Sequence, residues 1–113
     1  MKIIISAKSN QLEGSPDERF GRAAWLIKVD SATGEWQAFP NPGANQSGGA
    51  GVAAAQFVID QKADAVISGD FGPHASRALK AAHIEMYILT GAADSLKKAM
   101  ELFSQSLLPV FQP

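Results

Sequence analysis

Cysteine is absent from the 113 residues, which removes disulfides, thiolate nucleophiles, zinc ribbons and any iron-sulfur cluster ligated by thiolates of this chain alone. Histidine is scarce, with 2 residues, so general acid-base chemistry and metal ligation have little to draw on. Charge of one sign is missing as well: 10 Lys plus Arg face 11 Asp plus Glu, a formal net charge of -1. No broad electrostatic footprint for nucleic acid or an anionic membrane follows from such totals. Aromatic residues make up 8%, too few for a base-stacking surface. No apolar run approaches the roughly 18 residues of a membrane span, and the start of the chain turns polar at Ser6, short of a signal-peptide core. The expectation is a soluble cytoplasmic protein with no nucleic-acid or membrane partner. With 46% hydrophobic and 19% charged residues, residues 1–113 read as one globular domain.

Ile3 to Ile5 is a short β-branched run suited to a central strand covered on both faces. Lys8 to Arg22 follows as a long loop rich in breakers. Trp25 to Asp30 and Glu35 to Phe39 read as a hairpin turned at Ser31 to Gly34. Trp25 and Trp36 are expected to pack in the core or on the sheet face. Pro40 to Gly51 is a second long loop, and Val52 to Lys62 a helix apolar nearly all round, hence deeply packed. Ala65 to Ser68 is a buried strand. Pro73 in a first-turn position opens a helix with Ala75, Ala78, Leu79 and Ala82 on one stripe. His83, just past that stripe, reads as structural, in a place where a left-handed residue often ends a helix. Glu85 to Leu89 is the fifth strand, and Asp94 or Ser95 caps a last helix carrying Leu96, Ala99, Met100 and Phe103 on one face. The tail from Leu107 to Pro113 is expected to pack as an irregular extension. Residues 8–19 and 41–49, with breakers and few apolar anchors, are expected to be the most mobile.

The order βββαβαβα, with right-handed crossovers, predicts one mixed five-stranded sheet of order 3-2-1-4-5 with strand 2 antiparallel. The long loops then gather at the carboxyl ends of the other strands, where open α/β sheets bind ligands. Ser47, Gly48, Gly49 and Gly51 run into a helix start, where N–H groups and the dipole favour an anion. The same glycines could equally form a plain flexible linker. Gly49-x-Gly51-x-x-Ala54 fits a dinucleotide fingerprint only formally, since two prolines separate it from the preceding strand. Gly72 opens a second helix start beside Asp70 and His74. His74 is the candidate metal or cofactor ligand, and Asp70 a candidate ligand or helix cap. Arg19 and Arg22 could clamp a carboxylate or phosphate, or pair with Asp17, Glu18 or Asp30.

Phe20-Gly21-Arg22, Ser47-Gly48-Gly49-Ala50-Gly51 and Gly69-Asp70-Phe71-Gly72-Pro73-His74-Ala75, in that order across most of the chain, resemble the dinitrogenase iron-molybdenum cofactor biosynthesis family, which includes the NifX and NafY carriers and the C-terminal domain of NifB. The resemblance implies a ribonuclease-H-like fold with three helices. It also implies a non-catalytic carrier of an iron-sulfur or iron-molybdenum cluster precursor, with other cofactor-assembly proteins as partners. Without cysteine such a cluster would rest on His74, on Asp70, or on amides and arginines around it. Two other readings stand beside it. A metal-free module or sensor for a phosphate- or carboxylate-bearing metabolite would use the same loop and arginines. A ribonuclease-H-like nuclease lacks the required carboxylates, since Lys2 to Ser6 carries none.

Overall fold

The computed structural model describes residues 1–112. Its elements are β1 (Lys2–Ala7), β2 (Trp25–Asp30), β3 (Trp36–Pro40), α1 (Ala50–Asp60), β4 (Ala65–Ser68), α2 (Pro73–Ala81), β5 (Glu85–Ile88) and α3 (Leu96–Ser104). They build one five-stranded sheet of order β3-β2-β1-β4-β5. β2 is antiparallel to both neighbours, while β4 lies parallel to β1 and to β5. This is the topology that the element order and crossover handedness predict.

β1 is central because alternate residues can be buried on both faces. Ile4, with Leu26, Val66 and Met86, packs against Ala54, Ala55 and Val58 of α1 and Ala75 and Leu79 of α2. Ile3 and Ile5, with Ile27 and Ile67, pack against Leu96, Ala99 and Leu102 of α3. Two helices thus cover one face and a single helix the other. No helix among the described residues is long and apolar enough to cross a membrane.

Three details differ from the sequence reading. α1 begins at Ala50, and Val52 on it is 50% exposed, because a surface helix presents one side to solvent whatever its composition. Trp36 is 40% exposed, since β3 is an edge strand beyond the reach of α3, whereas Trp25 is half-buried against that layer. Over residues 107–112 the tail packs as the expected irregular extension, Pro113 lying outside the described residues: Ile88 N–H donates to Pro109 O and Phe111 N–H to Met86 O, each at 2.8 Å, which covers the open edge of β5. The first loop is also tied down, with Asp17 N–H on Ser6 O at 2.9 Å and bonds from Leu96 and Lys97 to Gly14 O and Leu12 O. Such bonding runs against ranking 12–19 with the most mobile residues, while Gln46 to Gly49 remain exposed.

Candidate functional site

The carboxyl ends of β1 and β4 diverge into oppositely directed connections, and that crevice would ordinarily be the ligand site. Here the first loop fills it. The Ser6 hydroxyl donates to Asp17 O at 2.6 Å, and the Ser68 hydroxyl lies 2.7 Å from Ser6 Oγ and 3.2 Å from Glu18 O. Gly69 N–H donates to Glu18 O at 3.0 Å, and Arg19 makes a parallel bridge to Asp70. A side chain at residue 69 would meet Glu18 Cα at 2.9 Å, so the two segments approach too closely for one. The opening is therefore displaced from the crevice to the α1 and α2 side of the plug.

A cleft of about 380 Å³ lies there. Its walls come from the end of the first loop (Arg19 and Arg22), the start of α1 (Gly49 and Gly51) and the start of α2 (Asp70, Gly72 and His74). Ser47 and Gly48 do not line it; they sit exposed on the approach. Phe20 and Ala75 supply the buried floor.

Both helix starts are left open. Gly49, the N-cap of α1, sits at φ 72 and ψ 22, and Gly72 caps α2 at φ -63 and ψ 164; neither helix has a side-chain cap. The first intrahelical bonds run from Ala53 N–H to Gly49 O at 3.0 Å and from Ser76 N–H to Gly72 O at 2.9 Å. The N–H groups before them, at Ala50 to Val52 and at His74 and Ala75, have no helical acceptor. A Cβ built on Gly48, Gly49 or Gly72 meets nothing within 4 Å, so the space beside both capping glycines is open. Two helix N-termini at one cleft make an anion-receptive surface.

Two other glycines serve packing. A Cβ at Gly21 would come 2.7 Å from Gly51 N, and one at Gly43 would meet Ala50 O and stand 2.6 Å from Gly21 O. The ends of both loops are thus pressed, backbone on backbone, against the first turn of α1. Buried Asn41 holds that junction: its amide donates to Phe20 O at 3.0 Å, and its carbonyl oxygen accepts from Gly43 N–H at 3.0 Å. Sequence reasoning missed Asn41, Ser6 and Ser68, although the Asn-Pro-Gly turn was a local signal for the first.

The arginines are in different states. Arg19 makes the salt bridge rather than a free clamp: Nε lies 3.1 Å from Asp17 Oδ1 and Nη2 3.0 Å from Oδ2. Burial pushes the Asp17 carboxyl up, but the Arg19 side chain and backbone N–H, with the charges of Arg19 and Lys8, outweigh it and hold it below its ordinary value. The same pairing raises the Arg19 guanidinium. Among the described residues Arg22 pairs with no carboxylate; its Nη1 donates to Gln46 O, bringing the two loops together. Asp70 does not cap α2, because Gly72 occupies that position without a side-chain bond. Among the described residues no group of three His, Asp or Glu could hold a metal ion. The donor set fits a bulky anion, not a bare cation.

Known proteins share this fold. The chain is similar over 97% of its length, and 92% of the other's, to the apo form of the orange protein from Desulfovibrio gigas, with 34% identity and a TM-score of 0.90. A Thermotoga protein provisionally assigned as NifB, at 23% identity, shares the fold with a TM-score of 0.83 over 99% of this chain and 97% of that one. No curated protein sequence matches it. The sequence model described as dinitrogenase iron-molybdenum cofactor matches residues 1–106, and the chain belongs to that family.

Proposed function

We propose that this protein is a small non-catalytic binder that holds an anionic iron-sulfur or iron-molybdenum cluster precursor as cargo in the cleft between the starts of α1 and α2. The observation that carries the reading is the convergence of two uncapped helix N-termini with Arg19 and Arg22 on one opening. Amides at Ala50 to Val52 and at His74 and Ala75 would donate to the outer sulfur or oxygen atoms of the cargo. Arg22 would swing from Gln46 O to add charge, and His74 one coordinate or hydrogen bond. Asp17 fixes the Arg19 fork, so that Arg19 orients and its paired charge adds little. Holding cargo by amides suits a carrier, because release then requires no ligand exchange at thiolates. Cofactor-assembly proteins in the cytoplasm would be the recipients.

The test is anaerobic incubation with a cluster donor, gel filtration, then metal analysis and visible absorption of the protein peak. Colour and metal co-eluting with the wild type and reduced in Arg22→Ala are expected; metal-free protein would overturn the reading. Affinities of His74→Ala, Arg22→Ala and the double mutant should couple by more than about 0.5 kcal/mol if both touch one ligand. A second reading, a metal-free module for a phosphate or carboxylate metabolite, is favoured by the absence of a three-residue metal group among the described residues. Inorganic phosphate binding at the same amides with no cluster retained would select it.

A further inference from the structure

On the other side of the first turn of α2 lies a larger groove, of about 510 Å³, between that helix and the C-terminal tail. Pro73, Ser76, Arg77 and Lys80 line it from the helix, at the i, i+3, i+4, i+7 spacing of one face. Phe111 lines it from the tail, held in place by its N–H bond to Met86 O at 2.8 Å. The floor is aromatic: the Phe71 ring stands 5.2 Å from both the Phe20 and the Phe111 rings. The Ser76 hydroxyl is already spent on Pro73 O at 3.2 Å and makes no demand on an occupant. Arg77 and Lys80 are exposed, and no carboxylate among the described residues lies within 4.0 Å of either. Among the described residues they are two cations without a carboxylate partner, on the rim of an apolar trough, in a chain whose net charge is -1.

We infer that this groove, which meets the cargo cleft at Pro73, is a second ligand site, for a small planar aromatic molecule bearing one anionic group. The ring would lie against Phe111 and Pro73, and the anion would sit between Arg77 and Lys80. The volume is in the range of small-molecule pockets, roughly 300–1,000 Å³, and the mix of apolar floor and few polar groups is what such pockets show. Burying a ring there supplies affinity through area, while the cations choose anion over neutral analogue.

The experiment is backbone amide NMR titration of the full chain with indole-3-acetate and with adenosine monophosphate, each against its uncharged counterpart, indole-3-acetamide and adenosine. The expected result is shifts centred on Ser76, Arg77, Lys80 and Phe111, with at least one of the two anions binding tenfold or more tightly than its neutral partner. Which anion wins tells carboxylate from phosphate as the source. In Arg77→Gln/Lys80→Gln, two exposed positions that leave the core intact, that preference should vanish. Shifts centred instead on Arg22 and Gly49 to Val52, equal binding of anion and neutral analogue, or no shifts with either anion would each overturn the inference.

Discussion

At the start of α3, Ser95 Oγ accepts from Lys98 N–H at 3.0 Å, and the first loop offers Gly14 O and Leu12 O to the N–H groups of Leu96 and Lys97. At the starts of α1 and α2 a glycine stands in the N-cap and no side chain bonds the first turn. A capping side chain is worth about 1 kcal/mol over alanine, so the chain has closed the helix that only packs and left open the two that face a cleft. Side-chain-capped and uncapped helix starts are thus divided between the two faces of the sheet. Helix donors satisfied internally carry stability; helix donors left free are available to an anion.

The sharpest way to break that division is at the glycines. Gly21→Ala and Gly43→Ala push a Cβ into the backbone of Gly51 and Ala50, which cannot yield as a side-chain tip would. We expect each to lose about 3 kcal/mol, at the upper end of overpacking costs. Gly48→Ala meets open space and should stay within about 0.5 kcal/mol of wild type. Urea midpoints compared at constant slope separate the two groups. Equal losses at all three positions would show that the cleft approach is structural too.

Much of this architecture was readable in advance, and the gaps have physical causes. Strands such as Ile3 to Ile5 and Ala65 to Ser68 show as buried runs because both faces are covered, and the 3-2-1-4-5 order follows from crossover handedness. Gly49, Gly51, Gly72 and His74 were visible because helix starts leave a local pattern. The plug in the crevice was not, since Ser6 and Ser68 meet across 62 positions of sequence. Nor could the sequence tell the glycines that stand beside open space from those that admit another backbone, as Gly21 and Gly43 do. Trp36 and Val52 stand exposed because composition says what a residue prefers, not whether a neighbour exists to cover it.

Acid should weaken the plug next. The Asp17 carboxyl titrates below its ordinary value in the folded chain, so its stabilisation is fully present above the unfolded pKa of about 4. It is lost as pH falls through the lower, folded value, because the unfolded chain takes up the proton first. Asp17→Asn should therefore lower the urea midpoint at pH 7 and flatten its decline toward pH 3. An unchanged acid slope would remove Asp17 from the account.

A smaller effect reverses the division directly. Ser95→Ala should cost α3 about 1 kcal/mol. Gly72 already has the extended conformation of a capping residue, with open space where a Cβ would stand. Gly72→Ser should then stabilise α2 by a few tenths of a kcal/mol, about 0.3. Its hydroxyl would occupy the Ala75 N–H and weaken anion binding at the cleft. A variant both more stable and a better binder would contradict the reservation of that donor.

The smallest expected effect lies at the helix ends, where all three helices agree. Lys62, His83 and Ser106 stand just past the ends of α1, α2 and α3 at φ 56, 60 and 58. At α2, His83 N–H donates to Lys80 O and Ile84 N–H to Leu79 O, each at 3.0 Å, the paired bonds that end a helix on a left-handed residue. Ile84 and Leu79 are both buried in the same layer, which supplies the apolar contact that accompanies such an ending. An L side chain in that conformation costs about 1 kcal/mol or more, and glycine escapes it but loses roughly 0.5–1 kcal/mol of extra chain freedom on folding. His83→Gly should thus be neutral or stabilising by about 0.5 kcal/mol. Ligand affinity should not change, because His83 lies at the far end of α2 from the cleft. A clear fall in the urea midpoint would mean that the imidazole makes a contribution beyond chain geometry, and altered anion binding would show that α2 couples its two ends.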